Sequence, residues 1–403
     1  MTVNRRMAAL CVAALTAATL AACGDSDDGN KGTNEPSSSA SVPSISASDF
    51  TADFSAMETL KPLADMGKGM VAVLLPDTTT SARYVTFDAP YLEQAFKAAG
   101  LDSSEYQISN AQGSASTMQT QAEAAMTAGA SVLLVDALDS GSGAAIEAAA
   151  AAKGVAVIDY DRLTKGGSEG RVYVSFDNVK VGQLIGEGEV SCIENWGVKD
   201  PNILVMDGDP TDNNAKLFAE GYNGVLKPYF DSGEYTLVGE PAGTWDPDVA
   251  QTTFAQQYTA HSEINAVITP NDDNANAVIS YLQSKQIPAN TFPTTGQDAS
   301  ISGLQNILKG YQCGTVYKPI YLEAQAAAAV ALYLRAGQDV PADLVNNTTH
   351  DDEADAEVDS SLLTPVWVTA DNMADTVVAD GAVDVGDLCI SALEEACAKA
   401  GIQ

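Results

Sequence analysis

The chain has 403 residues, 45% of them hydrophobic, with 20 Lys and Arg against 54 Asp and Glu and only two histidines, His261 and His350. A net charge of −34 argues against a nucleic-acid binder, because phosphates need clustered cations. The shortage of histidine leaves little for a His-based metal site or for Ser-His or Cys-His catalysis, and at about 150 residues per domain the length suggests roughly two or three domains.

The N-terminus carries Arg5-Arg6, an apolar run over residues 7–20, and Leu20-Ala21-Ala22-Cys23. A positive end, a short apolar run and small residues before a cut point predict a secretory signal over residues 1–22. Its ending resembles a bacterial lipobox, in which the Cys thiol takes lipid and becomes the first mature residue. Cys23 is therefore the expected lipidation site, and the chain is expected to be extracytoplasmic, anchored to the outer face of the cytoplasmic membrane. Residues 24 to about 50 are Asp, Gly, Ser, Pro and Asn with little to bury, and a lipidated flexible tether is expected over residues 23–68.

From Met70 onward, apolar runs alternate with helical stretches. Strands are predicted at 71–75, 106–109, 132–135 and 155–158, with helices at 91–99, 117–128 and 143–153 between them. The same alternation restarts after Asn178, with strands at 203–206, 236–239, 266–269 and 313–317 and helices at 214–226, 248–260 and 274–284. Buried strands separated by helices that stop at glycine signify a parallel α/β sheet, and two such units imply two lobes. The Ala-rich stretches 143–152 and 323–336 read as packed helices. The acidic run 351–359 lacks the regular spacing of an EF-hand and reads as a solvated surface loop rather than a calcium site. No metal and no cofactor is expected.

Cys192, Cys313, Cys389 and Cys397 remain after the signal and Cys23 are set aside, an even number in an oxidising compartment. Four cysteines allow three connectivities. On one helix Cys389 and Cys397 would be about 12 Å apart, too far to bond. Their pairing requires Cys389 in the turn before a tail helix capped by Ser391, and Cys192–Cys313 is then the second pair.

Polar clusters follow the apolar strands, where a sheet delivers side chains to a cleft. They include Ser81-Ala82-Arg83-Tyr84, Asp159-Tyr160-Asp161-Arg162, Asp209 to Ala215, Trp245-Asp246-Pro247, Asn271-Asp272, Gly296-Gln297-Asp298 and Tyr317-Lys318-Pro319. Arg, Asp, Asn and Lys converging with Trp and Tyr suit a pyranose. Planar polar ends grip adjacent hydroxyls, and aromatic rings cover the C–H face. Singly each cluster is weak, since Asp212 or Asn213 could merely cap the helix that follows and Trp245 could be core.

Tyr160-Asp-Arg-Leu163, Ser175-Phe-Asp-Asn178, Pro210-Thr-Asp-Asn-Asn-Ala-Lys216, Gly296-Gln-Asp298 and Thr315-Val-Tyr-Lys-Pro319 together resemble D-xylose-binding proteins. Ser81-Ala-Arg83 and Trp245-Asp-Pro247 resemble the related multiple-sugar-binding proteins. Both are type I periplasmic binding components of sugar ABC importers, and the resemblance runs from about Met70 to Asn372 in unbroken order. It implies an α/β, two-lobed type I periplasmic-binding-protein fold, each lobe a parallel sheet flanked by helices, with a three-segment hinge. The lobes would be residues 69–178 plus 319–364 and residues 179–318 plus 365–403. Arg83, Arg162, Asp212, Asn214, Asn271, Asp298 and Lys318 would hydrogen-bond a monosaccharide, Trp245 and Tyr84 would stack on it, and Asp161 would orient Arg162. Tyr84 departs from the Trp usual there, so stacking at that position should be weaker. Asn271 favours D-xylose, with glucose, galactose, ribose or inositol as alternatives. The expected partners are the sugar, an ABC permease and the membrane through lipid, for a monomer that binds no nucleic acid. A sugar sensor for a signalling receptor shares the same binding step. An enzyme is not expected, because the clusters mix single carboxylates with cations and present no acid–base pair.

Overall fold

The computed structural model describes residues 42–78 and 81–402. Its opening segment is already packed. Two 3-10 turns, Ala47–Asp49 and Ser55–Leu60, lead into α1 (Lys61–Met66), and Ile45, Phe50, Phe54, Met57, Leu60 and Leu63 are buried in one apolar core. Gln325 Nε2 donates to the Thr51 carbonyl at 3.0 Å, and the Tyr333 hydroxyl to the Pro43 carbonyl at 2.6 Å. The tether expected over residues 23–68 is thus corrected over residues 42–68. Phe54, Met57, Leu60 and Leu63 recur every third residue and form one buried face, which the surrounding Ser and Asp conceal in composition. The signal over 1–22, Cys23 and residues 24–41 lie outside the described residues.

Next come β1 (Met70–Leu75), α2 (Ala89–Ala98), β2 (Tyr106–Asn110), α3 (Ala115–Thr127), β3 (Ala130–Val135), α4 (Ser140–Ala151), β4 (Ala156–Tyr160) and β5 (Val172–Phe176). The chain then builds α5 (Asn178–Trp196), β6 (Asn202–Val205), α6 (Asn213–Ser232), β7 (Thr236–Gly239), α7 (Pro247–Ala260), β8 (Ala266–Ile268), α8 (Asp272–Ser284), α9 (Ile301–Leu308) and β9 (Thr315–Tyr317). It returns with α10 (Ile320–Arg335), β10 (Asn347–Asp351) and β11 (Ala356–Leu363), and finishes with β12 (Val366–Val368), α11 (Val385–Leu388) and α12 (Glu394–Lys399).

The first sheet has the order β10-β11-β5-β4-β3-β1-β2 and is parallel except at β10. The second is β7-β6-β8, also parallel. It continues through single parallel bridges, Val267 to Thr294 and Gln297 to Val316, to β9, which pairs antiparallel with β12. Strands covered on both faces read as unbroken apolar runs, and all but the first residue of β1 are buried. The chain passes between the two layers at three places, from β5 to α5, from β9 to α10 and from β11 to β12.

Between α5 and α6 the approach is close because glycines face backbone. A Cβ on Gly182 would lie 2.1 Å from the Phe218 carbonyl oxygen, and one on Gly221 2.3 Å from that of Val179. This brings the N-terminus of α6, where candidate site residues sit, against that of α5.

The acidic run read as a surface loop is instead the β10–β11 hairpin. Its tip is exposed, but Asp351 is fully buried and its Oδ2 lies 2.6 Å from Arg171 Nη2. Arg171 also contacts Asp159 at 2.9 Å, so the hairpin is tied to the end of β4. Val358, Ser360, Ser361 and Leu363 are the buried residues of β11, a signal masked by the neighbouring carboxylates.

Both disulfides form as expected, Cys192–Cys313 with Cα atoms 5.8 Å apart and Cys389–Cys397 with 5.9 Å. Cys389 follows α11 directly. The tail helix is capped by Leu393 rather than Ser391, without a side-chain hydrogen bond. Among the described residues no helix is long and apolar enough to cross a membrane.

Candidate functional site

Ligands of open α/β sheets bind beyond the carboxyl ends of the strands, where strand order reverses. In the first sheet that point lies between β1 and β3, and in the second between β6 and β8. Segments at the carboxyl ends of the two sheets line one pocket with about 300 Å³ of empty space, part of it open to solvent. Arg83 and Tyr84 come after β1, Asp161 and Arg162 directly after β4, and Asp212 and Asn214 after β6 at the start of α6. Trp245 follows β7, Asn271 follows β8, Asp298 precedes β9 and Lys318 follows it. All ten line the cavity, together with Ser81, Phe218 and Gln297. The polar members are nearly all buried.

The cations are held by carboxylates. Arg83 lies 2.6 Å from Asp88, 2.8 Å from Asp161 and 2.9 Å from Glu323. Arg162 Nε is 3.1 Å from Asp212 and 3.4 Å from Asp136. Lys318 Nζ is 3.2 Å from Asp298 and 3.7 Å from Asp161. Three cations therefore face six carboxylates, and burial resolves the imbalance. It pushes the Asp136 and Glu323 carboxyls well up, against the pull of Arg162 and Arg83, so these two favour their neutral forms. Burial raises Asp212 as well. Asp161 goes the other way, because Arg83, Lys318 and Arg162 together outweigh burial and hold it at about 2. A charged Asp161 beside Arg83 and Lys318 is the electrostatic centre of the site.

Backbone geometry sharpens the placement. Asp161 and Asp298 both adopt left-handed conformations, with φ of 59° and 86°, unusual for residues with a Cβ and concentrated at functional sites. Tyr84 to Asp88 winds as a π-helical turn, another feature frequent at such sites.

Several residues do double duty. Asp212 caps α6 through Oδ1, which accepts from the Asn214 backbone at 2.8 Å, while Oδ2 accepts from Trp245 Nε1 at 3.1 Å. Capping and cavity function are thus divided between two oxygens. Asn271 likewise caps α8, accepting from the Asn274 backbone at 2.9 Å. Asn214 donates to the Asp161 carbonyl at 2.9 Å and accepts from Asn178 Nδ2 at 3.0 Å, so its amide braces Asp161. Tyr84 sits with the Arg83 and Arg162 guanidinium carbons 5.3 Å and 5.8 Å from its ring centre, and its hydroxyl accepts from Arg162 at 3.1 Å. Trp245 packs edge-on to Phe218 with ring centres 6.4 Å apart. Its indole lies over Gly208, where a Cβ would come within 2.3 Å.

Sequence reasoning did not single out Asp88, Asp136 or Glu323, and it reached Gln297 only within the cluster Gly296-Gln297-Asp298. Asp136 follows the buried strand β3, so the rule that found Asp161 also reaches it. Glu323 sits in an Ala-rich helix whose composition reads only as packing.

Residues 71–339 match the model of a periplasmic binding protein domain. The chain belongs to that family. It is 36% identical over 276 residues to the D-xylose-binding periplasmic protein of Escherichia coli (strain K12), covering 68% of this chain and 80% of that one. The multiple sugar-binding periplasmic protein SbpA of Azospirillum brasilense is 30% identical over 334 residues, covering 79% and 91%. An ABC transporter solute binding protein of Clostridium phytofermentans, solved with bound β-D-glucose, superposes with a TM-score of 0.69 at 28% identity. That match covers 79% of this chain and 99% of that one. The resemblance read from the motifs and the type I fold it implied both hold.

Proposed function

We propose that this chain is an extracytoplasmic solute-binding lipoprotein that captures an aldose, D-xylose first among the candidates, and delivers it to an ABC permease. The observation that carries this reading is the convergence of Arg83, Arg162 and Lys318 with Asp161, Asp212, Asp298, Asn271 and Trp245 on one cavity between two sheets. Charge-assisted donors and acceptors in such density suit adjacent hydroxyls, and the indole suits a C–H face. The sugar names of the relatives point the same way.

Binding would close two lobes, residues 69–178 plus 319–364 and residues 179–318 plus 365–403, about the three chain passages. A ligand shifts such an equilibrium only by its differential affinity for the two states, so groups from opposite lobes matter most. Calorimetry with D-xylose tests the reading. The parent should bind, and Arg162→Ala and Asp298→Ala should each lose affinity; parental affinity in either variant would remove that residue from the ligand's surroundings. A thermal-shift panel of D-glucose, galactose, ribose and inositol separates the alternatives. Reducing sugar appearing from xylo-oligosaccharides would instead mark an enzyme.

A further inference from the structure

A second, larger pocket adjoins the first, with about 1050 Å³ of empty space that includes its opening to solvent, and Ser81, Arg83, Gln297 and Asp298 line both. We infer that the cleft also takes a disaccharide, with one ring in the inner cavity and a glycosidically linked second ring in this outer chamber. The inference rests on the sugar-binding reading above and extends it.

Two observations carry it beyond volume. Gln297 is 3% exposed, lines both cavities, and its side-chain Oε1 has no hydrogen-bond partner among the described residues. A buried acceptor left without a donor is destabilising, and a hydroxyl near the junction of two linked rings supplies that donor. The chamber's lining also matches a sugar ring in kind. It combines apolar groups, Phe87 and Tyr91 stacked at 6.1 Å together with Ile301, with the polar side chains of Asp273, Ser300 and Asp384. Its one cation, Arg83, is already held by three carboxylates. Acidic groups without a spare cation disfavour uronic acids and sugar phosphates, whereas a neutral ring with an apolar face and a hydroxylated edge is complementary to both kinds of lining group.

The test is calorimetry on the whole protein with D-xylose and β-1,4-xylobiose as probes. Ser302→Trp, at an exposed position lining the chamber, narrows it, and Thr86→Trp repeats the test from a second exposed lining position. The parent should bind both probes. Each variant should keep D-xylose affinity within twofold and lose at least tenfold for xylobiose. Binding of D-xylose without xylobiose by the parent overturns the outer chamber alone, as does xylobiose affinity untouched by both substitutions. Failure of both sugars overturns this inference together with the reading it rests on.

Discussion

Arg162 Nε lies 3.1 Å from Asp212 Oδ2, so a residue following a strand of one sheet is ion-paired to the residue capping a helix of the other. Asp136, with neither carboxylate oxygen hydrogen-bonded among the described residues, lies 3.4 Å from Arg162 as a further side-chain contact. Breaking a buried pair by removing one partner costs about 3–5 kcal/mol, whereas neutral replacement of the whole group can cost little. Arg162→Met should therefore destabilise strongly in urea unfolding, and adding Asp212→Asn should recover part of the loss. Equal stabilities for the single and double variants would separate Asp212 from Arg162.

Asn214 supplies a donor to the Asp161 carbonyl and an acceptor to Asn178. Asn214→Asp loses the donor and sets a negative charge against that carbonyl, so it should lower Tm more than Asn214→Ala does. Both should weaken D-xylose binding through the displaced Asp161. A larger Tm loss in the Ala variant would reverse this account.

Two carboxyls give opposite pH dependences. Asp161, held at about 2 against burial by Arg83, Lys318 and Arg162, contributes stability present above the unfolded value near 4 and lost as pH falls towards 2. Burial of Asp272 raises it to about 7, with hydrogen bonds from Gln312 and Ser300 only partly opposing. Its contribution is complete below about 4 and is lost as pH rises to about 7, on the order of 4 kcal/mol. Calorimetric scans should show Tm declining across that upper window, and Asp272→Asn should flatten the decline; an unchanged slope would assign it elsewhere.

The disulfides should differ in weight. Cys192–Cys313 closes a separation of 121 residues and Cys389–Cys397 one of 8. On chain entropy the first is worth about 4–5 kcal/mol and the second less than about 3. Paired Cys→Ser variants compared by urea midpoint should follow that order.

Gly182→Ala should be severely destabilising, because the new methyl meets backbone rather than a movable side chain. Gly224→Ala, on the same helix as Gly221 but with open space around it, should be neutral or slightly stabilising. Similar unfolding midpoints for the two variants would show that α5 and α6 can separate at little cost.

Strands and site residues were legible for the same reason. Buried parallel strands are apolar throughout, and the polar residue that ends each run, such as Asp161 after Tyr160 or Asn271 after the strand at 266–268, lies where the sheet opens. Charge partners were less legible. Asp88 and Glu323 reach Arg83 from 5 and 240 residues away, and no local pattern marks either. Tyr84 was expected to offer its ring to a sugar, yet two guanidinium groups already lie beside that ring. The hairpin at 347–363 was hidden because Asp351 is paired with Arg171, a contact 180 residues long.

The packed segment between Val42 and Met66 bears on how the protein is cut for expression. Boundaries drawn from the family match, residues 71–339, would strip Phe50, Phe54, Met57, Leu60 and Leu63 from α10 and delete the edge hairpin as well. Such a fragment would present a greasy scar where the intact molecule is sealed, and it should aggregate even with every cavity-lining residue retained.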